Sequence, residues 1–188
     1  ENAFTPSDID LLTTLTNSMS LSLENARLLS ETQRLLKQLE GEMQIARQTQ
    51  QSILPRQVPK RAGYDFGALV IPARAVGGDF YDFIHLDKHQ LGIVIGDVSD
   101  KGMPAALFMA LTFSLIRAEA GQTAAPRQIL ENVNGYLLNM NTLGTYVTVL
   151  YSVLDYRTGL VTYSRAGHPL PIVVDGSGML ITPAMQEG

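Results

Sequence analysis

No proline interrupts the chain between Pro6 and Pro55, and leucine and methionine recur there every three or four residues. This periodicity predicts one helix, or two nearly collinear helices, from Ser7 to about Ile53. At ~1.5 Å per residue such a helix is ~70 Å long, which is longer than a small domain can cover. We therefore expect a dimeric coiled coil or a signalling linker, with a helix packed on its own domain as the alternative. The apolar positions form two offset seams: Leu12, Leu15, Met19, Ala26, Leu29, Leu36 and Met43, and then Leu28, Leu35, Leu39 and Ala46.

Composition limits what the remainder of the chain can be. The chain has 188 residues, of which 45% are hydrophobic and 17% charged, which suits one packed domain of about 130 to 150 residues plus an appendage. A net charge of −4 without a basic run argues against nucleic acid as the main partner. Because there is no cysteine, any metal must be held by oxygen or histidine, which favours a hard cation.

The chain shows neither a membrane span nor a targeting segment by its sequence pattern. Its longest apolar run, around Met103 to Ile116, falls short of the roughly 20 residues that a bilayer span needs. We therefore expect a soluble, cytoplasmic protein with no membrane partner. Since the sequence begins at Glu1 without an initiator methionine and stops at Gly188, we also expect it to be a piece of a larger protein.

The hydrophobic period changes after Pro55 and Pro59, which end the helix. Strands, then helices, then strands follow, an order that predicts an α+β domain with antiparallel sheets rather than repeated βαβ units. We predict strands at 64–73, 80–86, 91–97, 145–156, 159–166 and 169–175, and helices at 103–120 and 126–140.

Two aspartates share an unusual setting at strand boundaries. Asp79 follows Gly77 and Gly78, and Asp97 follows Gly96 at the end of an apolar run. A hairpin of the strands at 80–86 and 91–97 would bring the two carboxylates together. With no Lys or Arg in either motif, they would repel each other unless a cation lay between them. The pair predicts a metal site, although turn chemistry is the competing interpretation for a single aspartate after glycine.

The residues around this pair admit two interpretations each. Ser99 or Asp100 is expected to cap the following helix after a turn at Gly102, with anion binding by the free amides as the alternative. His168, in "AGHP", fits turn geometry and a ligand or substrate contact equally well. "GGDF" is similar to a diguanylate cyclase signature, but Phe80 stands where that signature has glutamate, so a cyclic-nucleotide synthase is a remote alternative.

Several motifs together resemble one protein family. "ARQTQQSILPRQVP", "PARAVGGDFYDF", "GIVIGDVSDKGMPAALFMA" and "YVTVLYSVLDYRTGLVTYSRAGHPLPIVV" closely resemble the SpoIIE/RsbU branch of the PPM metal-dependent serine/threonine protein phosphatases. Upstream, "FTPSDIDLLTTLTNSMSLSLENARLLSETQRL" resembles the last helix of a GAF sensor domain. The resemblance implies a sensor helix with coiled-coil linker at 1–42, a helix end and Pro-rich connection at 43–62, and a partial phosphatase domain at 63–188.

The resemblance also implies a fold and a metal centre. The expected fold is an α-β-β-α sandwich, in which two antiparallel sheets flanked by helices carry two Mg²⁺ or Mn²⁺ ions at one end. Carried over by position, Asp97 would bridge both ions, the main-chain carbonyl of Val98 would bind one, and Asp79 would bind an ion or orient its waters. Asp79 and Asp97 are thus the expected catalytic residues, with a metal-activated water attacking the phosphorus in line.

Arg74 is by the same resemblance a candidate for binding the substrate phosphate, and an exposed arginine without a role is the alternative. Gly77, Gly78, Gly96 and Gly102 are expected to be structural turn glycines. Asp100 stands where relatives often have glycine, so it adds negative charge beside the metal corner.

One departure affects the expected activity. In the family, one aspartate in a later "TDG"-like segment and another near the C-terminus complete the second metal site, and this chain ends before both. We therefore expect weak metal binding and weak or no turnover by the chain as given. The branch commonly acts on a phosphorylated STAS-domain anti-sigma factor antagonist, which we expect as partner, together with a homodimer through the N-terminal helix. The alternative is a non-catalytic dimeric signalling scaffold with a degenerate phosphatase fold.

Overall fold

A computed structural model describes residues 5–72, 75–140 and 144–183. The chain divides into two compact units between Ile45 and Ala46. Helices, one four-stranded antiparallel sheet and one two-stranded antiparallel sheet confirm the predicted α+β class. The elements are α1 (Pro6–Ile53), β1 (Phe80–His85), β2 (Gln90–Val98), α2 (Met103–Ala120), α3 (Pro126–Met140), β3 (Val147–Asp155), β4 (Val161–Ala166), β5 (Val173–Val174) and β6 (Leu180–Ile181).

Helix α1 is continuous, as its proline-free sequence predicts. Thr5 caps its first turn: the Asp8 backbone N–H donates to Thr5 Oγ1 at 3.3 Å, and the Thr5 N–H donates to Asp8 Oδ2 at 2.8 Å. This reciprocal pair satisfies amides that would otherwise lack partners. In the first unit the seam residues are largely exposed in the single chain, with Leu29 at 61% and Leu36 at 53%. The apolar seam is therefore not covered by the helix's own unit.

The core of the second unit lies between one face of the four-stranded sheet and helices α2 and α3. The sheet has the order β1-β2-β3-β4, with every neighbouring pair antiparallel. Alternate residues of β1, β2 and β3 point into this core, as the period of a half-buried strand requires. Its buried apolar members include Phe80, Val94, Tyr151, Met109, Phe113, Ile116, Ile129, Leu130, Val133 and Leu137.

Among the described residues one helix, α2, is long and apolar enough to cross a membrane by length and composition. Such a signal is weak when it comes from a single helix, because a core helix of a folded domain has the same composition. In this domain 44% of the helix is buried, and its buried side chains, including Met109 and Ile116, pack in the core just described. Packing against the sheet accounts for its apolar sequence.

The predicted strand at 64–73 does not form over the described residues 64–72, which contain only an isolated bridge between Arg61 and Tyr64. The physical reason is the lack of a neighbouring strand, because an isolated extended segment leaves its backbone groups unpaired. Leu69 is 80% exposed. The aromatic residues of this segment pack on the sheet instead, with Tyr64 against Tyr156 and Phe66 against Phe83.

A half-buried ion pair joins α2 to β1. The Asp82 side chain is 1% exposed, and Arg117 donates to it through Nε at 2.6 Å and Nη2 at 2.8 Å. The hydrogen bond with Asp82 raises the pKa of the guanidinium, and the same guanidinium lies over the Phe113 ring. A two-point contact of this kind fixes orientation as well as distance, so it sets the position of α2 against the strand that Asp79 precedes.

Candidate metal centre

The register of the β1–β2 hairpin brings the two predicted aspartates together. Phe80 pairs with Gly96, so Asp79, one residue earlier, lies beside Asp97. Burial raises the pKa of Asp79, and hydrogen bonding to the Asp97 carboxyl and its negative charge raise the pKa further, whereas nearby His168 lowers it. The two carboxyls thus lie close together, and their like charges repel each other.

The donor chemistry of this pair fits a hard divalent cation. Carboxylate and carbonyl oxygens are the ligands that Mg²⁺ and Mn²⁺ prefer, and a cation between the two carboxylates would relieve their repulsion. In residues 5–72, 75–140 and 144–183 no group of three or more His, Cys, Asp or Glu side chains is arranged to hold a metal. If a cation binds here, the carboxylates of Asp79 and Asp97 and the carbonyl of Val98 would supply part of its coordination shell.

Gly78 lets the Asp79 loop approach β2 closely. A Cβ at position 78 would lie 2.9 Å from both the Cβ and the carbonyl oxygen of Val98, closer than a real Cβ lies to backbone atoms. Any side chain at this position would have to displace the Val98 carbonyl or the loop. The Val98 carbonyl, a predicted metal ligand, therefore packs directly against the loop that carries Asp79.

The same loop is fastened to the last turns of α1. Gln50, only 8% exposed, donates through Nε2 to the Gly77 carbonyl at 2.6 Å and accepts through Oε1 from the Gly77 N–H at 3.1 Å. One buried side chain thus satisfies both backbone groups of Gly77. These two hydrogen bonds connect α1 to the residue two positions before Asp79.

Two predictions about the neighbouring turns are wrong. Gly96 is not a turn glycine, because it lies within β2, where a side chain would collide with the Phe80 ring. Neither Ser99 nor Asp100 caps α2, whose N-cap is Gly102 with no side-chain hydrogen bond. Ser99 is engaged elsewhere, since its hydroxyl accepts from the Tyr146 N–H at 2.9 Å. Gly102 does adopt a left-handed conformation, with φ of 79°, as a turn glycine would.

A pocket of about 210 Å³ opens at this corner of the second unit. Asp100 lines it with φ of 76°, in the left-handed region that glycine adopts more easily than other residues. This backbone conformation would explain the glycine that the family resemblance leads us to expect at this position. The described residues lining the pocket are Pro72, Val76, Gly77, Gly78, Asp79, Asp97, Val98, Asp100 and Lys101.

His168 lies beside the carboxylate pair rather than in an isolated turn. Its Nδ1 is 2.8 Å from Thr148 Oγ1, and Thr148 pairs with Asp97 across the β2–β3 ladder. Its effect on the pKa of Asp79 places it within electrostatic range. The hydrogen bond with Thr148 orients the imidazole beside the carboxylate pair, and a ligand or substrate contact by His168 stays a prediction.

Arg74, the predicted phosphate-binding residue, lies outside the described residues. Sequence reasoning missed two residues that the structure brings to the site, Gln50 and Lys101. Lys101 was visible in the sequence three residues after Val98. In the sequence Gln50 is only a polar residue close to the end of an apolar helix seam, which is a weak indication of a contact with another segment.

Comparison with known proteins gives one family and several relatives. Residues 87–188, more than half of the chain, match the family Stage II sporulation protein E (SpoIIE). Protein IcfG of Synechocystis sp. is 32% identical over 73% of this chain and 26% of its own length. Phosphoserine phosphatase RsbU of Bacillus subtilis is 32% identical over 70% of this chain and 39% of its own length. The solved SiaA-PP2C domain of Pseudomonas aeruginosa superimposes with a TM-score of 0.62 and 27% identity, covering 69% of this chain and 54% of that one.

The chain spans between about a quarter and two fifths of the length of these curated relatives. The family match begins at residue 87, so it includes Asp97, Val98 and Lys101 but not Asp79. The likeness in structure covers 69% of the chain.

Proposed function

Because the chain belongs to the SpoIIE family, in the RsbU branch of the PPM phosphatases, we propose that it is the output part of a metal-dependent serine/threonine protein phosphatase. The observation that carries this proposal is the pairing of Asp79 and Asp97 at one end of the β1–β2 hairpin. A pair of adjacent carboxylates with a backbone carbonyl beside it suits a cation-assisted hydrolysis.

The proposed reaction is hydrolysis of a phosphate monoester. Bound Mg²⁺ or Mn²⁺ would supply Lewis-acid activation of water and neutralise the phosphoryl oxygens. Asp97 and the Val98 carbonyl would hold the ions, and Asp79 would bind an ion or orient its waters. The water oxygen bonds to phosphorus as the bond from phosphorus to the serine oxygen breaks; the serine oxygen takes up a proton, and the products are serine and inorganic phosphate.

The proposed substrate is a phosphoserine or phosphothreonine on a protein. The name of the Bacillus subtilis relative, a phosphoserine phosphatase, supports this class. Within it, a STAS-domain anti-sigma factor antagonist is the partner that the family resemblance favours.

We further propose regulation through α1. The exposed apolar seam of the first unit would pair with a second copy of the chain, and Gln50 would carry a change in α1 to the Asp79 loop through its two hydrogen bonds to Gly77. Breaking either hydrogen bond would leave a buried polar group unpaired, which costs free energy. A shift of Gln50 in α1 would therefore move Gly77 with it.

A non-catalytic dimeric signalling scaffold is the second candidate. It is favoured by one observation: the described residues contribute two carboxylates but no cluster of three metal-binding side chains. Phosphate release separates the two candidates.

The test is Mn²⁺-dependent phosphate release from a phosphoserine protein or peptide by the full-length protein. We expect Asp97→Asn to abolish release without unfolding the protein, because an amide cannot replace a carboxylate that bridges cations. Asp65→Asn, at an exposed aspartate away from the pocket, is the matched control and should release phosphate at the wild-type rate. Retained activity of Asp97→Asn would contradict the assignment, and absence of release by the wild-type protein would favour the scaffold.

A further inference from the structure

The pocket beside the carboxylate pair has a strongly uneven charge. Among the described residues that line it are three carboxylates, Asp79, Asp97 and Asp100, and a single cation, Lys101. In such surroundings a lysine would be expected to pair with one of the carboxylates. The ion pairs of the described chain are nevertheless Arg117–Asp82, Arg127–Glu131 and Arg157–Asp155, and Lys101 takes part in none of them.

The backbone holds Lys101 at the edge of the pocket. The residues on either side of it, Asp100 and Gly102, both have left-handed φ values, 76° and 79°. Ser99 anchors the start of this turn to the residue before β3, since its N–H donates to the Tyr146 carbonyl at 2.8 Å and its hydroxyl accepts from the Tyr146 N–H at 2.9 Å. A non-glycine residue in the left-handed region persists only where its surroundings determine it, so the turn presents Lys101 in a defined place.

We propose that Lys101 binds the phosphoryl group of the substrate in this pocket; the proposal rests on the phosphatase function proposed above. A phosphate dianion approaching the pocket meets repulsion from its carboxylates. Cations held by Asp79 and Asp97 would remove that repulsion and would leave Asp100 as the only anionic group of the described lining that competes for the ammonium of Lys101. A lysine ammonium is a compact charge on a flexible stem and a common phosphate-binding group.

The experiment uses the Mn²⁺-loaded full-length protein and three variants. Lys101→Met removes the charge while keeping an unbranched chain, and Lys101→Arg restores a cation. Lys88→Met is the matched control, because Lys88 is exposed in the β1–β2 turn and does not line the pocket. KM and kcat for a phosphoserine peptide, equilibrium binding of inorganic phosphate, and Mn²⁺ affinity are measured for each.

We expect Lys101→Met to raise KM and to weaken inorganic phosphate binding by about 10- to 100-fold, the effect of losing one charge-assisted contact. Mn²⁺ affinity should stay within about twofold of wild type, and Lys101→Arg should recover part of the phosphate affinity. Lys88→Met should match the wild-type protein throughout.

Phosphate affinity of Lys101→Met within about twofold of wild type would overturn the proposal. A fall in Mn²⁺ affinity parallel to the fall in phosphate affinity would also overturn it, because the lysine would then act through the metal ligands. If the wild-type protein released no phosphate from the peptide, the proposed phosphatase function would fail. The equilibrium binding of inorganic phosphate would still decide for or against Lys101.

Discussion

Gly78 leaves no room for a side chain between the Asp79 loop and strand β2. We predict that Gly78→Ala lowers Mn²⁺ affinity by about tenfold or more, because its Cβ, 2.9 Å from the Val98 carbonyl oxygen, must displace a proposed ligand atom. Calorimetric titration with Mn²⁺ measures the effect.

The control for this substitution is Gly135→Ala in α3, where a Cβ meets nothing within 4 Å. It should leave Mn²⁺ affinity unchanged and raise the free energy of unfolding by about 1 kcal/mol, since alanine favours a helix interior over glycine. Equal Mn²⁺ affinity in Gly78→Ala and wild type would show that the close approach of the loop does not position the carbonyl.

Tyr151 buries a hydroxyl with no hydrogen-bond partner among the described residues. Burial, together with the negative charge of Asp82, raises its pKa to about 12. The unfolded chain loses this proton near pH 10, whereas the folded chain keeps it up to about pH 12. The stability that the protonated hydroxyl contributes is therefore complete below pH 10 and is lost as the pH rises toward 12. The loss amounts to about 2 to 3 kcal/mol, at about 1.4 kcal/mol per pKa unit.

We predict that Tyr151→Phe removes this alkaline loss and is neutral or stabilising by up to about 1 kcal/mol at pH 7, because it deletes an unpaired buried polar group. Urea unfolding of both proteins at several pH values between 7 and 11 tests this. If Tyr151→Phe loses stability with rising pH as steeply as the wild-type protein, the Tyr151 hydroxyl is not the cause of the alkaline loss of stability.

The β1–β2 hairpin could be predicted from sequence because two apolar runs flank a polar turn. Asp87 Oδ1 accepts hydrogen bonds from the backbone N–H groups of His89 and Gln90 at 2.6 and 2.7 Å, which is the turn chemistry that aspartate favours. The juxtaposition of Asp79 and Asp97 follows from that register alone. The strand expected at 64–73 does not form over residues 64–72, because strand formation depends on a neighbouring strand that a local pattern does not reveal.

Contacts between distant segments were also beyond sequence reasoning. Gln50 and Gly77 lie 27 positions apart, and no local pattern marks them as partners. Asp82 and Arg117, 35 positions apart, are a further example. Periodicity identifies the elements, whereas the polar pairs that lock them together depend on tertiary packing.

We predict that the contact of α1 with the Asp79 loop is needed for the site. Gln50→Ala should reduce the free energy of unfolding by about 1 to 2 kcal/mol through two unpaired backbone groups at Gly77, and should lower phosphate release several-fold. Gln51→Ala, at the exposed neighbouring position, is the control. Wild-type release by Gln50→Ala would show that the hydrogen bonds stabilise the fold without influencing the site.

The molecule combines a helix whose apolar seam is exposed with a domain that carries the carboxylates of Asp79 and Asp97 at one end of the β1–β2 hairpin. An exposed apolar stripe of this length is rare on a monomer and is typical of a coiled-coil interface. We predict that the full-length protein is a dimer, and that the double substitution Leu29→Glu and Leu36→Glu makes it a monomer, because charges in the seam oppose pairing. Sedimentation velocity measures the change.

Arg34→Glu, which places a glutamate on the same helix but on the face away from both seams, is the control and should remain dimeric. A wild-type monomer at micromolar concentration, or a dimer that persists in the double variant, would contradict the assigned interface.

The central claim is that Asp79, Asp97 and the Val98 carbonyl form a divalent-cation site at the end of the hairpin. Electron paramagnetic resonance of Mn²⁺ tests it directly, because the signal of free Mn²⁺ decreases as the ion binds, whether or not the substrate is known. We predict saturable binding by the full-length protein, retained by Asp65→Asn and lost in Asp97→Asn. Equal Mn²⁺ binding by the Asp97→Asn variant and the wild-type protein would contradict the claim.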